Sequence, residues 1–269
     1  MTRIGEVFRI LDRPAFIAYL VAGDPDPEGF LTAARAVIGA GADILEIGMP
    51  FSDPVADGPT IQRAHTRALE GGMTVDGLFE AVRKVREFSA IPLLLMVYCN
   101  TVYRRGVEQF YREAKDAGAD AVLVVDMPPE EGERAVRAAR DTGMDQIFLV
   151  APSTSDQRIG EIAESANGFM YLASLLGVTG AREALSDEAS RLIGRVRPRT
   201  RLPLAVGFGI SRPEHAMALR RAGADGVIVG SALVGIVEEH ARDPERMARE
   251  IQGFVAGMRK ALEGRPGDP

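Results

Sequence analysis

A glutamate lies inside a short apolar segment of the chain. Glu46 is enclosed by Ile44, Leu45, Ile47 and Gly48, a run that is typical of a buried strand. Burying a carboxylate among such residues is costly unless the group is paired or protonated. Two interpretations follow: a structural carboxylate held by a buried partner, or a general acid or base whose pKa is raised.

A second candidate acid, Asp57, lies in segment 50–59, which is rich in proline and also contains Asp53. Aspartate and proline are ordinary turn residues, so turn chemistry accounts for both aspartates. Asp57 also directly precedes Gly58-Pro59-Thr60 at the expected start of a helix, where it could serve as the cap. From the residues alone, these interpretations are favoured over catalysis.

Glycines recur at the ends of two apolar runs late in the chain. Gly207-Phe208-Gly209 ends one run, and Gly230-Ser231-Ala232 ends the next and leads into a short apolar segment, 233–237. Glycines let backbone N–H groups approach an anion, and a helix N-terminus favours negative charge. The two motifs together predict a phosphate site, and the alternative is that the glycines only form tight turns.

The elements that would position these residues are short apolar runs separated by amphipathic stretches. The runs are nearly continuous in apolar content, as in parallel strands that are covered on both faces. Amphipathic stretches at 30–38, 107–117, 135–139 and 213–221 predict helices between them. The predicted strands are 16–23, 43–50, 92–99, 121–128, 146–152, 169–174, 202–209 and 226–231.

The sequence Ala-Gly-Ala-Asp recurs between a predicted helix and a predicted strand, at 40–43, 117–120 and 222–225, with a looser copy at 142–145. It indicates a helix that ends at a left-handed glycine and is followed at once by a strand. Repetition of this connection predicts a single-domain (β/α)₈ barrel over residues 1–269, with an extra short N-terminal helix and a frayed tail at about 263–269. The alternative is a doubly wound open sheet, which usually has fewer strands.

Two predicted connections are longer than the usual length of about two to six residues. They are segment 49–59 after the second strand and segment 175–186 after the sixth. In a barrel both would emerge at the carboxyl ends of the strands, where active sites lie, and long loops there often act as lids.

Composition excludes several classes of protein. A net charge of −6 argues against nucleic-acid binding, and no apolar run reaches the roughly 18 residues of a membrane helix. The single cysteine, Cys99, precludes an intramolecular disulfide and fits a reducing cytoplasm. His65, His215 and His240 lack metal-ligand spacing, so we expect no metal site and interpret these histidines as structural or exposed.

Segment 45–62, Leu-Glu-Ile-Gly-Met-Pro-Phe-Ser-Asp-Pro-Val-Ala-Asp-Gly-Pro-Thr-Ile-Gln, closely resembles the signature of the tryptophan synthase α family. Gly23-Asp24-Pro25, Gly177-Val178-Thr179-Gly180 and the two late glycine motifs resemble further motifs of that family, in the same order. The resemblance spans nearly the whole chain. It implies a lyase that cleaves indole-3-glycerol phosphate to indole and glyceraldehyde 3-phosphate by a reversed aldol step, without a cofactor in this chain.

The resemblance also implies residue roles. Glu46 matches a catalytic glutamate that moves protons at indole C3 and at the glycerol hydroxyl. Asp57 matches an aspartate that accepts a hydrogen bond from the indole N–H as positive charge develops there. Thr179 matches a threonine that contacts this aspartate on loop closure. The remaining matches are phosphate ligands (Gly180, Gly209, Gly230 and Ser231) and residues lining the indole pocket (Tyr19, Ile61, Tyr98, Tyr171 and Phe208).

The family further implies a partner, a pyridoxal-phosphate-dependent β subunit in an α₂β₂ assembly. Segments 50–57 and 100–105 resemble the surface that contacts it. One departure concerns loop six, the segment 175–186 after the sixth predicted strand. Some family members carry an arginine two residues before Gly-Val-Thr-Gly, and this chain has Leu175 and Leu176 there. The departure bears on loop closure and on signalling to the partner.

Three other functions compete with the leading one. Another phosphate-binding barrel isomerase would share the glycine motifs but gives no reason for the acidic segment 50–59. A non-catalytic activator of the β subunit predicts loss of Glu46 or Asp57, and both are present. A free-standing lyase that releases indole is the third, and the leucines in loop six are compatible with it.

Overall fold

Eight parallel strands form a closed barrel in chain order, with each strand paired to the next and β8 paired to β1. The computed structural model describes residues 2–173, 182–207 and 209–263. Closure excludes the open doubly wound sheet and confirms the predicted (β/α)₈ barrel. The strands are β1 Ala15–Val21, β2 Ile44–Gly48, β3 Leu93–Val97, β4 Ala121–Val124, β5 Asp145–Val150, β6 Met170–Ala173, β7 Leu204–Gly207 and β8 Gly226–Val229.

Helices connect the strands and form the outer layer. The helices in the described part of the chain are α1 Arg3–Ile10, α2 Pro27–Gly39, α3 Pro59–Glu70, α4 Val75–Phe88, α5 Cys99–Arg105, α6 Val107–Ala117, α7 Glu133–Thr142, α8 Asp156–Ser165, α9 Arg182–Val196, α10 Pro213–Arg221, α11 Ser231–Glu239 and α12 Pro244–Leu262. Within that part of the chain, none is long and apolar enough to cross a membrane.

The repeated Ala-Gly-Ala-Asp connection has the predicted geometry. Gly41, Gly118 and Gly223 have φ angles of 101°, 109° and 88°, and Gly143 of the looser copy has a φ of 65°. A side chain at these positions would be strained, because only glycine adopts such angles readily. Each glycine therefore ends its helix and turns the chain into the next strand.

Two apolar layers stabilise the barrel. Inward-facing residues such as Ile17, Ile44 and Phe169 fill its interior, while the opposite faces of the strands pack against the helices. The predicted N-terminal helix is α1, which covers the amino end of the barrel. Ile4 is fully buried there, and the rings of Phe8 and Phe169 lie 5.7 Å apart. The barrel is thus covered at the amino ends of its strands and open at their carboxyl ends.

Several predicted boundaries were wrong. The predicted strand 121–128 is β4 Ala121–Val124, and the predicted strand 202–209 is β7 Leu204–Gly207. The chain leaves the sheet earlier than predicted at both points. α9 begins at Arg182, inside the predicted loop 175–186. Loop residues 174–181 and tail residues 264–269 lie outside the described residues.

Candidate active site

Glu46 points into the barrel from the middle of β2. It pairs in register with Tyr19 of β1 and Leu94 of β3, and it is fully buried. Neither carboxyl oxygen has a hydrogen-bond partner among the described residues. Burial, reinforced by the nearby negative charge of Asp57, raises the pKa of Glu46 to about 8. The described part of the chain therefore supplies no buried partner for a purely structural carboxylate, and Glu46 is mainly protonated at neutral pH.

Asp57 lies near the end of loop two, the segment 49–58 between β2 and α3, and is buried, with 8% of its surface exposed. Its Oδ2 accepts a hydrogen bond of 2.7 Å from the hydroxyl of Tyr98, and its backbone oxygen accepts one of 2.8 Å from Nε2 of Gln62. Burial raises the pKa of Asp57, and the bond from Tyr98 opposes that rise. The capping interpretation was wrong, because Gly58 occupies the N-cap of α3 and no side chain caps this helix.

A cavity of about 320 Å³ opens at the carboxyl ends of the strands. Its size suits a small organic ligand. Residues from β1, β3, β6 and β8 form its apolar walls, and residues that follow β2, β7 and β8 form its rim. The lining residues are Tyr19, Asp57, Gly58, Pro59, Thr60, Ile61, Met96, Tyr171, Gly209, Ile210, Ile228, Gly230 and Ser231.

Tyr19 and Tyr171 line the cavity and also interact electrostatically with the buried Glu46. The charges of Glu46 and Asp57 both raise the pKa of Tyr19 and of Tyr171, after the larger effect of burial. Glycine makes room for the hydroxyl groups. A Cβ atom added at Gly207 would lie 2.6 Å from the Tyr171 hydroxyl. Tyr19 pairs in register with Glu46, and both tyrosines line the same cavity as Asp57.

The glycines and the serine predicted to bind an anion, Gly209, Gly230 and Ser231, line this cavity. Gly230 is the N-cap of α11, and the Val234 N–H donates to the Gly230 carbonyl at 3.0 Å. The amides of residues 231–233 precede that bond, so they lie at the positive end of the helix. Gly209, with a φ of 71°, lines the same cavity. The cavity is thus lined by a positive-φ glycine after β7 and by the N-terminus of α11, a kind of helix end that favours negative charge.

Some predicted site residues are placed differently or are not described. Tyr98 is not among the lining residues of the cavity. It lies behind Asp57 and stacks on Phe51, with ring centroids 4.7 Å apart. Thr179, Gly180 and Phe208 lie outside the described residues.

Sequence reasoning missed part of the site. Thr60, Met96, Ile210 and Ile228 line the cavity without having been predicted. Alternate residues of β3 and β8 face the barrel interior, and this alternation would have predicted Met96 and Ile228 as lining residues. His65 was expected to be structural or exposed, and it is buried, with its Nε2 3.5 Å from Oδ2 of Asp57. Helical spacing places it beside Ala64 and Ala68 on the buried face of α3, which was the available signal.

The segments predicted to contact a partner carry exposed apolar side chains. Val55 of loop two is 86% exposed, and Tyr103 of α5 is 45% exposed. Among the described residues the other well-exposed large apolar side chain is Ile10, on α1 at the amino end of the barrel. No three His, Cys, Asp or Glu side chains in that part of the chain are grouped to hold a metal ion.

A (β/α)₈ barrel with a ligand-sized cavity at the carboxyl ends of its strands is the architecture of a barrel enzyme. More specifically, the chain belongs to the tryptophan synthase alpha chain family, whose model matches residues 8–263. Among curated relatives, the tryptophan synthase alpha chain of Methanoregula boonei is 52% identical over 263 residues, covering 98% of this chain and 99% of the relative. That of Methanothermobacter thermautotrophicus is 50% identical and covers 96% of each chain.

Solved structures agree with this assignment. A Mycobacterium tuberculosis tryptophan synthase structure matches with a TM-score of 0.88 and 37% identity, covering 98% of this chain and 99% of that one. A chain of the tryptophan synthase a2b2 complex of Pyrococcus furiosus matches with a TM-score of 0.85 and 41% identity, covering 91% of this chain and 98% of that one.

Proposed function

We propose that this chain cleaves indole-3-glycerol phosphate to indole and glyceraldehyde 3-phosphate, as the α subunit of an α–β complex in cytoplasmic tryptophan biosynthesis. The observation that carries the proposal is the pair of acids. Glu46 is fully buried without a hydrogen-bond partner in the described part of the chain, and Asp57 lines the cavity near enough to raise the pKa of Glu46.

The reaction begins with the protonated form of Glu46. Its carboxylic acid donates a proton to C3 of the indole ring, and positive charge develops at the indole nitrogen. The carboxylate of Asp57 accepts a hydrogen bond from the indole N–H and stabilises that charge, which it does more strongly in a cavity shielded from water. A pKa of about 8 leaves Glu46 able to donate at neutral pH.

Bond cleavage uses Glu46 a second time. Its carboxylate removes the proton from the glycerol hydroxyl on the carbon attached to C3. The carbon–carbon bond breaks, its electron pair returns to the indole ring, and the hydroxyl-bearing carbon becomes the aldehyde of glyceraldehyde 3-phosphate. Glu46 ends the cycle protonated, so no net proton is consumed.

The substrate is oriented by its two ends. Its phosphate binds at Gly209, Gly230 and Ser231, where the N-terminus of α11 favours the negative charge. Its indole ring lies between the apolar walls formed by residues such as Ile61 and Tyr171. By family resemblance, Thr179, Gly180 and Phe208 complete the site. The chemistry uses no cofactor of this chain, and pyridoxal phosphate belongs to the β subunit.

The proposed partner surface combines loop two with α5. Val55 and Tyr103 are exposed apolar residues in the two segments that resemble the family's β-subunit contact. Loop two also carries Asp57, so docking there would act directly on a catalytic residue. We propose an α₂β₂ assembly, as in the Pyrococcus furiosus relative.

The test is to incubate the purified chain with indole-3-glycerol phosphate and to measure indole and glyceraldehyde 3-phosphate, with and without a β subunit. Equal amounts of both products, formed faster with the β subunit, are expected. Equal rates in both conditions would indicate a free-standing lyase. Stimulation of the β subunit without any cleavage would indicate an activator, and conversion without release of indole would indicate an isomerase.

A further inference from the structure

His65 lies on the buried face of α3, directly behind the acidic loop, and only 2% of it is exposed. Its Nδ1 accepts a hydrogen bond of 2.8 Å from the Phe51 backbone N–H, at the start of loop two. Its Nε2 lies 3.5 Å from Oδ2 of Asp57, near the end of the same loop. One side chain thus contacts both ends of the loop.

The bond to Phe51 determines which nitrogen carries the proton. In a neutral imidazole one nitrogen accepts and the other donates. Because Nδ1 accepts from Phe51, the proton is on Nε2 and points towards Asp57. Nε2 is buried and has no hydrogen-bond partner within 2–173, 182–207 and 209–263. Burial also lowers the pKa of His65 to about 4, so the ring is neutral at physiological pH.

Four contacts link His65, Phe51, Tyr98 and Asp57 in a closed ring. His65 accepts from the Phe51 N–H, and the Phe51 side chain stacks on Tyr98 at 4.7 Å. Tyr98 donates to Oδ2 of Asp57 at 2.7 Å, and Oδ2 faces Nε2 of His65. A shift of a few tenths of an ångström in loop two would bring the last pair within hydrogen-bond distance.

We propose that His65 is a positioning residue for Asp57: its neutral imidazole, fixed by Phe51, directs an Nε2–H donor at Oδ2 and holds the carboxylate towards the indole nitrogen. A neutral donor orients the carboxylate and favours its ionised form without cancelling its charge. This inference rests on the proposed function, because it assigns His65 a role in that reaction.

Two substitutions separate the contacts of His65. Asparagine reaches only as far as Nδ1, so His65→Asn keeps an acceptor for Phe51 and loses the donor to Asp57. Glutamine reaches as far as Nε2, so His65→Gln keeps the donor and loses the acceptor. In His65→Asn we expect kcat/KM to fall about tenfold, as for loss of one hydrogen bond to a charged group. His65→Gln keeps the donor but loses the bond that fixes it, so it should lose less activity than His65→Asn.

The pH profile distinguishes positioning from packing. Asp57 is faced by Tyr98 from the end of β3 and by His65 from α3, and its charge also acts on Glu46 of β2, Tyr19 of β1 and Tyr171 of β6. Loss of the His65 donor should move the acid limb of kcat/KM to higher pH in His65→Asn and leave it unmoved in His65→Gln. The opposite ranking of the two variants, or two profiles like the wild type, would overturn the proposal.

A second measurement needs neither turnover nor a variant that folds well. Nitrogen-15 NMR of the wild-type chain, labelled at its three histidines, reports the tautomer of each ring. His65 should be neutral with its proton on Nε2 at pH 6.5. A proton on Nδ1, or a charged ring, would contradict the proposal. If the wild type releases no indole, the proposed function fails, and the NMR result still decides how His65 faces Asp57.

Discussion

The hydroxyl of Tyr98, one residue beyond β3, donates a hydrogen bond of 2.7 Å to Oδ2 of Asp57 in loop two. Burial alone would favour the protonated form of this aspartate, and a donor to its carboxylate favours the ionised form. The two effects act on Asp57 in opposite directions. Tyr98 therefore favours the ionised form of Asp57, and it is not among the residues that line the cavity.

Removing this donor should shift the pH dependence of catalysis. In Tyr98→Phe the pKa of Asp57 rises, because the bond that lowers it is lost. In the proposed reaction the ionised form of Asp57 stabilises the indole cation, so the acid limb of kcat/KM should move to higher pH while the alkaline limb stays in place. Tyr103→Phe, which removes an exposed hydroxyl on α5, is the matched control. An acid limb unchanged in Tyr98→Phe would refute the role of Tyr98.

Glu46 should make the stability of the protein depend on pH. Its pKa is about 8 in the folded chain against 4.5 as the reference, so above pH 4.5 the folded state retains a proton that the unfolded state has lost. The contribution of Glu46 is therefore most favourable below pH 4.5 and is lost as the pH rises towards 8. Denaturant unfolding should show the wild type losing roughly 3 to 4 kcal/mol relative to Glu46→Gln between pH 5 and pH 8. A difference that is constant with pH would show that Glu46 is not a raised-pKa acid.

A negative charge at the start of α11 should repel the substrate phosphate. Ser231→Asp places a carboxylate at the predicted anion site, and KM for indole-3-glycerol phosphate should rise about 10- to 100-fold. The fold should be retained, since an acidic residue in the first turn of a helix stabilises it. Ser231→Ala, which removes the hydroxyl without adding charge, should change KM much less. Equal KM values for the two variants would place the phosphate elsewhere.

A charge on the exposed face of loop two should weaken partner binding. Val55 is 86% exposed, and burying an arginine there against a β subunit would carry an unpaired charge into an apolar contact. Calorimetric titration with the β subunit should show affinity reduced at least tenfold for Val55→Arg. Ile10→Arg is the control, because Ile10 is 62% exposed but belongs to α1 at the other end of the barrel. Similar losses in both variants would argue against loop two as the docking surface.

Local sequence patterns were sufficient to predict the barrel. The glycine of each Ala-Gly-Ala-Asp connection has a positive φ, which glycine adopts readily. The continuous apolar runs are typical of strands that are covered on both faces. Each of these features can be recognised within one short segment of the sequence. Strand ends were less predictable. The predicted strands that contain β4 and β7 were drawn to the next proline or glycine, and apolar content alone does not show where backbone pairing stops.

The site was only partly accessible from sequence. Glu46 stands out because a carboxylate inside an apolar strand is a local anomaly. Asp57 looks like a turn residue, and its buried hydrogen bond comes from Tyr98, which is 41 residues further along the chain. His65 was missed for the same reason, since its contacts with Phe51 and Asp57 exist only once α3 packs behind loop two.

The central claim, that Glu46 transfers the protons, is tested most directly by the rate of indole release from saturating indole-3-glycerol phosphate by Glu46→Gln at pH 7. Glutamine preserves shape and burial but neither donates as an acid nor accepts a proton. We predict a fall of about a thousandfold or more in kcat with phosphate affinity unchanged, in the range expected for loss of general acid–base catalysis. Indole release within tenfold of the wild-type rate by the folded variant would contradict the account.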